Sequence, residues 1–192
     1  MVSSSPQEVG AVRLAELVRL VESGDRTTKI VAIDGLGGSG KSELATQLAR
    51  ALDNATVVHT DDFARPNARG WEWERMRATV LKPLSSNEPG RYQRYDWNTD
   101  QLAEWHDVPT GGTLIVEGVS SMREELGEYW DLAIWVSAPY ETRLTRGVQR
   151  DGEAMRSQWA DVWMPEEQEY FDSQRPDRKA NVIVDGTRPF PV

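Results

Sequence analysis

The stretch Lys29-Ile30-Val31-Ala32-Ile33-Asp34-Gly35-Leu36-Gly37-Gly38-Ser39-Gly40-Lys41-Ser42 decides how the rest of the chain is read. Its first half is a β-rich run bounded by charged residues, the pattern of a strand buried on both faces. Its second half fits G-x-x-x-x-G-K-[ST]. Glycines let successive backbone N–H groups turn toward one point and form a nest for anionic oxygens. The helix that follows adds its positive N-terminal end. In such loops the lysine, here Lys41, bridges the β- and γ-phosphates, and the hydroxyl of Ser42 ligates Mg²⁺. The fixed positions of the pattern match by chance in roughly one chain in a hundred. The strand-loop-helix context narrows that further. Gly35, Gly37, Gly38, Ser39, Gly40, Lys41 and Ser42 are therefore expected to hold the phosphates of a nucleoside triphosphate.

Outward from this stretch, helical and strand patterns alternate. Upstream, Gln7 to Glu22 places Val9, Val12, Leu14, Leu17, Val18 and Val21 on one face, which predicts an amphipathic helix over about 7–23. Downstream, Lys41 to Leu52 reads as a helix with Leu44, Ala45, Leu48, Ala49 and Leu52 inward, and Ala55 to His59 as a second strand. Trp71 to Leu81 looks helical and is expected to stop near Pro83. Ser85 to Tyr95 reads as a loop or short hairpin, and Asn98 or Thr99 as the cap of a helix running to His106. Thr113 to Val116 and Leu132 to Val136 read as the third and fourth strands, with a short helix at Ser121 to Tyr129 between them. Tyr140 to Asp151 and Ala154 to Phe171 read as helices, the second kinked at Pro165, and Asn181 to Val184 as the fifth strand.

Short apolar strands alternating with helices predict an α/β fold with a parallel sheet covered on both faces. Ligands bind such sheets at the carboxyl ends of the strands. Lys41, Asp61 and Glu117 all fall at such ends. A carboxylate past the second strand, facing the phosphate loop, can orient an attacking hydroxyl and accept its proton. A carboxylate that closes the apolar run Leu114-Ile115-Val116 is costly unless a cation is near. Arg143, Arg146 and Arg150 follow one another at helical spacing and share a face.

Composition sets outer limits. The 192 residues suit one domain, expected to span 1–192 with a core over about 29–186. With no cysteine, disulfides and thiolate metal sites are excluded. The net charge of −9 and pI of about 4.8 oppose general attraction to nucleic acid. No run approaches the ~20 apolar residues of a membrane span. Met1 to Gly10 lacks the pattern of a secretory signal, so a cytoplasmic location is the expectation. Most of the eight tryptophans are expected to fill core or groove positions. His59 and His106 lack partners at metal-ligand spacing and are assigned no role.

Together, Ile33-Asp34-Gly35 through Lys41-Ser42, Asp61-Asp62-Phe63, Val116-Glu117-Gly118 and the Arg143 to Asp151 run resemble the uridine kinase family of P-loop nucleoside and small-metabolite kinases. The resemblance implies a P-loop NTPase three-layer fold, a five-stranded parallel sheet of order 2-3-1-4-5 and a helical lid, placed at about 146–160. It implies ATP and Mg²⁺ as cofactors and a small-molecule hydroxyl as acceptor. Asp61 matches the family's catalytic aspartate, with Lys41, Arg146 and Arg150 as its catalytic partners. Arg143 joins the nucleotide-binding set, and Ser42 and Glu117 hold the metal. Phe63, Glu72, Tyr95, Trp97, Asp61 and Glu117 are implied on the acceptor side, and the Trp163-Met164-Pro165 segment with Glu166 and Glu169 closes that side. A homodimer is compatible with the sequence.

The chain departs from the family at two places. Trp71-Glu72-Trp73-Glu74 stands where uridine kinases carry Phe-Asp-His-Pro. Asn98, Thr99 and Asp100 stand where they place a histidine after Tyr-Asp-Phe. The lid region is also shorter. The acceptor is thus open among nucleosides, including nicotinamide riboside, pantothenate-type precursors and sugar-like alcohols. A nucleotide-dependent switch or a degenerate P-loop module without kinase activity is the alternative of a different class.

Overall fold

The computed structural model describes residues 13–65, 70–97 and 99–190. Helix α1 (Leu14–Glu22) buries Leu14, Leu17 and Val21; the expected start of this helix, 7–12, lies outside the described residues. Strand β1 (Lys29–Asp34) runs into the phosphate loop and α2 (Lys41–Ala51), and β2 (Ala55–His59) is followed by a 3₁₀ turn, Thr60–Phe63. Helices α3 (Trp73–Met76) and α4 (Lys82–Ser85) are joined by a π-helical turn, Arg77–Leu81. The hairpin of β3 (Gly90–Asp96) and β4 (Gln101–Val108) comes next, followed by β5 (Thr113–Glu117) and β6 (Leu132–Ser137). Helix α5 (Tyr140–Asp151) leads through a π-helical turn, Gln158–Trp163, into α6 (Met164–Gln174), then α7 (Pro176–Lys179) and β7 (Val182–Asp185).

The main sheet has five strands in the order β2-β5-β1-β6-β7, every pair parallel. With the β3-β4 hairpin set aside, this is the expected order 2-3-1-4-5. The central strands have no polar face: in β1, Ile30 to Asp34 are all buried, as is all of β5. Helices α1 and α2 cover one side through Leu17, Leu44 and Leu48 packed on Val31, Ile33 and Ile134. The other side is covered by the α3–α4 segment and the hairpin, where Met76, Leu81 and Tyr92 meet Ile30, Leu114 and Val116. Near β6 it is covered by Tyr170 and Phe171 of α6, which pack on Ala133 and Trp135.

Four local expectations are corrected. The helix expected up to His106 is the strand β4, whose residues pair antiparallel with β3 from Gly90 opposite Val108 to Asp96 opposite Gln101. Asp100 adopts φ +54°, a turn conformation that leads into a hairpin and not into a right-handed helix. The helix expected at Ser121 to Tyr129 is reduced to the 3₁₀ turn Glu124–Leu126. The amides of Ser120 and Met122 donate to the Asp34 carboxylate (3.0 and 2.8 Å), so this loop is shaped by Asp34 and not by a helical ladder. Pro83 does not stop its helix, which runs on to Ser85, and Pro165 lies in the first turn of α6 and produces no break. Each proline lacks the N–H that would bond four residues back. In both cases that fourth residue, Thr79 or Asp161, lies inside the preceding π-helical turn, where the four-residue ladder is already shifted.

Candidate active site

The phosphate loop leaves β1 at Gly35 and enters α2 at Lys41. Gly38 and Gly40 have φ of +76° and +102°, values that a side chain would strain, and these turns aim successive N–H groups inward. Arg146 braces the loop from behind. Its Nη1 donates to Gly186 O (2.8 Å) and, at longer range, to the carbonyls of Gly38 (3.3 Å) and Ser39 (3.4 Å). The N–H groups of Gly35, Gly37 and Ser39 are bonded to Asp34, Glu167 and the Leu36 carbonyl, and with the carbonyls held outward the remaining loop N–H groups face an incoming anion. Arg146, expected as a lid cation, is thus placed on the carbonyl side of the loop.

Asp34 fixes the loop's entry. It is fully buried and accepts four hydrogen bonds, from Gly35 N (2.7 Å), Ser120 N, Met122 N and Tyr170 Oη (2.7 Å). Burial pushes its carboxyl up to about 6 although these donors and Lys41 pull the other way.

Glu117 ends β5 beside the loop. Its Oε2 accepts from the Ser42 hydroxyl (3.1 Å), and its Oε1 from His59 Nδ1 (2.5 Å). Burial pushes its pKa up, but the His59 hydrogen bond and the charges of Lys41 and His59 outweigh burial and hold Glu117 below the usual range. The same hydrogen bond raises His59. Ser42 and Glu117 therefore present a hydroxyl and a carboxylate to one point, hard oxygen donors of the kind Mg²⁺ takes beside phosphate. Among the described residues no three His, Asp or Glu side chains gather as a metal cage. An ion held by two protein oxygens, waters and phosphate needs none.

Asp61 lies in the 3₁₀ turn past β2, exposed toward the cleft. Desolvation in this recess raises its pKa, with Lys41 opposing and Glu117 adding to the rise. Asp62 is bonded to Tyr92 Oη (2.8 Å). Phe63 is fully buried, stacked on Tyr92 at 4.7 Å under the guanidinium of Arg75. Glu72 is paired with Arg75 (2.7 Å) and Arg65 (3.0 Å). Tyr95 is buried with its hydroxyl on Asp100, and Trp97 stands edge-on to it, 54% exposed. Phe63 and Glu72 thus build the wall of this region, while Asp61 and Trp97 present open surface.

On α5 the three arginines part company. Arg143 is buried with its Nη1 3.5 Å from Glu167, Arg146 grips the loop, and Arg150 is exposed, bidentate on Asp151 and 5.5 Å from the Trp159 ring. Glu167 accepts from Gly37 N (2.8 Å), and Trp159 packs against Gly147 closely enough that a Cβ there would lie 2.5 Å from the ring.

The sequence reading passed over four of these residues. His59 could have been found: it ends β2 directly opposite Glu117 at the end of β5, so the predicted strand order makes the two neighbours. Asp34 is visible as a charged residue closing an apolar strand. Trp159 and Glu167 carry no local signal, because their contacts reach across the chain.

A protein-family model described as an AAA domain matches residues 31–186, which holds the loop, both strand-end carboxylates and α5. The chain belongs to this AAA domain family. Among relatives, the AAA domain is 26% identical over 140 residues to the uridine kinase of Borrelia garinii subsp. bavariensis, an alignment covering 64% of this chain and 67% of the relative. It is 23% identical to uridine-cytidine kinase C of Dictyostelium discoideum over 73% of this chain but only 33% of that protein. In three dimensions it matches a possible uridine kinase from Bacillus stearothermophilus with a TM-score of 0.69 and 20% identity, over 90% of this chain and 97% of the other. These matches bear out the resemblance to uridine kinases. No helix of the described residues is long and apolar enough to cross a membrane.

Proposed function

We propose that this AAA domain is an ATP- and Mg²⁺-dependent kinase that transfers the γ-phosphoryl group to the hydroxyl of a small molecule. The observation that carries the reading is the convergence at one sheet edge of the phosphate loop, the Ser42–Glu117 pair and Asp61, each at a neighbouring strand end. Lys41 and those loop amides between Gly35 and Ser42 that are not already bonded within the fold bind the triphosphate. Ser42 and Glu117 would hold Mg²⁺, which when bound would neutralise charge on the phosphates. Asp61 orients the acceptor hydroxyl and takes its proton. Burial raises the pKa of this carboxyl, which makes its carboxylate a better proton acceptor. Arg150 is the cation on α5 with room to approach the transferring group, and Arg146 keeps the loop in shape for it. The segment from Arg146 through about residue 160 serves as the lid that excludes water as a competing acceptor.

The relatives' names put nucleosides first among acceptors, and the exposed ring of Trp97 suits a flat ring or an apolar group. The absence of the histidine that uridine kinases place after Tyr-Asp-Phe widens the panel to other nucleosides, pantothenate-type alcohols and sugars. The test incubates the purified protein with Mg-ATP and such a panel and reads products by mass spectrometry. One acceptor that gains a phosphoryl group while ADP appears is the expected result. ATP bound tightly with no phosphorylated product from any acceptor overturns the kinase reading.

A further inference from the structure

Nucleotide binding at this loop begins from a site where a carboxylate already stands. Gly37, in the middle of the phosphate loop, donates its N–H to Glu167 Oε2 at 2.8 Å, across 130 residues of sequence. The same oxygen lies 3.5 Å from Arg143 Nη1. Both side chains are shielded, 14% exposed for Glu167 and 5% for Arg143. The lid segment is seated on the loop around this contact: a Cβ on Gly37 would lie 2.7 Å from Glu167 Oε1 and 2.7 Å from Cζ3 of Trp159.

The donors here exceed what one carboxylate uses. Arg143 Nε and Nη1 are buried and hydrogen-bond nothing. Buried guanidinium N–H groups are ordinarily satisfied, and in this place the partner they lack is a larger anion with more oxygens. Burial raises the Glu167 pKa, while the Gly37 N–H and the charges of Lys41 and Arg143 favour the carboxylate and Asp61 opposes it, so the group stands in the field of the phosphate site. A phosphate oxygen and a carboxylate cannot share the one N–H of Gly37, and two anions side by side repel.

We propose that Glu167 is a resident anion of the phosphate site: its carboxylate occupies the Gly37 donor until a nucleotide phosphate displaces it, and so sets the affinity for nucleotide. The proposal rests on the nucleotide-binding reading above. In it, binding is an exchange of anions. The loop keeps a satisfied donor while empty, and occupancy frees the stretch from the Gln158–Trp163 turn into α6 that carries Trp159 and Glu167. A ligand can shift such an equilibrium only by its differential affinity for the two states, so the carboxylate lowers the apparent affinity of every phosphate ligand that needs Gly37.

The test measures tripolyphosphate and Mg-ATP binding by calorimetry at constant ionic strength, in wild type, Glu167→Gln and Glu167→Ala. Gln keeps an acceptor oxygen for Gly37 and removes only the charge, so it should bind tripolyphosphate about tenfold more tightly than wild type. Ala should follow in the same direction. A wild type that binds while both variants bind no better overturns the inference and leaves the nucleotide-binding reading standing. Binding by neither wild type nor variants overturns both. Should the variants fail to fold, wild type still decides: tripolyphosphate should change the tryptophan emission, and Trp159→Phe should abolish the change. Saturation of wild type with no change in emission is incompatible with displacement of the lid contact.

Discussion

Replacing Asp34 by Asn would show what the carboxylate at the end of β1 costs the fold. Asp34 has no exposed surface, and burial raises its carboxyl from 3.8 to about 6 against four donors aimed at it. At roughly 1.4 kcal/mol per pH unit, that rise corresponds to stability on the order of 3 kcal/mol. The folded carboxyl titrates above the unfolded one, so the folded chain keeps its proton in a range where the unfolded chain has lost it. The contribution is complete below 3.8, falls as pH rises, and is gone above about 6. Asn does not titrate. Its NH₂ must also face two of the four donors, which costs about 1–3 kcal/mol at every pH. That second cost is an offset and leaves the slope untouched. Urea unfolding followed by tryptophan fluorescence, from about pH 4 to about pH 7, separates the two. The stability gap between wild type and variant should shrink by on the order of 3 kcal/mol as pH rises across that range. A gap that stays constant to within about 0.5 kcal/mol would refute the assignment of the buried charge to Asp34.

Asp61→Asn should lower kcat on the order of 10²–10⁴-fold and leave the ATP dissociation constant within about threefold, because a general base acts on the transition state and not on nucleotide binding; equal losses in both would remove Asp61 from that role. Glu117→Gln should raise the Mg²⁺ concentration for half-maximal activity about tenfold or more, read by titration of metal-stripped protein, since it weakens an oxygen donor shared with Ser42. Gly147→Ala sets a methyl group 2.5 Å from the Trp159 ring and should cost about 1–3 kcal/mol through overpacking, seen as a lowered melting temperature with a shifted tryptophan signal; an unchanged melting curve would mean that the Trp159 segment is not packed against α5 in solution.

What could be read from the sequence was what neighbouring residues determine. The phosphate loop is legible because its glycines, lysine and serine act within one turn of chain. The strands β1, β5 and β6 are legible because burial on both faces leaves their interior positions apolar, with polar residues only at their ends. Asp61 and Glu117 follow once the sheet is drawn, since a charge at the end of an apolar strand requires a partner. β4 was misread because Gln101 to Val108 shows no alternation, and its strand character comes from pairing with β3. The helical expectation over 121–129 fails for a similar reason: nothing local reveals that the amides of Ser120 and Met122 bond to an aspartate 86 and 88 residues away. The helical spacing of Arg143, Arg146 and Arg150 was correct, yet it could not tell a buried cation from a loop brace or an exposed ion pair.

The distant contacts share a pattern that bears on how the site works. Two side chains of α6, Glu167 and Tyr170, are three residues apart and therefore lie on one face of the helix. One grips the middle of the phosphate loop through Gly37, and the other grips its root through Asp34. The two grips differ in kind. Tyr170 bonds a carboxylate inside the core, where no ligand competes, whereas Glu167 bonds a donor that a phosphate needs. Displacement of Glu167 would leave α6 tethered by Tyr170 and by the packing of Phe171 on Trp135, 5.4 Å between ring centroids. The helix would then turn about that tether instead of leaving the domain. Motion is thereby directed to the N-terminal end of α6 and the π-helical turn before it, where Trp159 and, across from it, Arg150 stand. On the proposal above, an anion that enters the loop would loosen the turn that carries Trp159, against whose ring Arg150 stands.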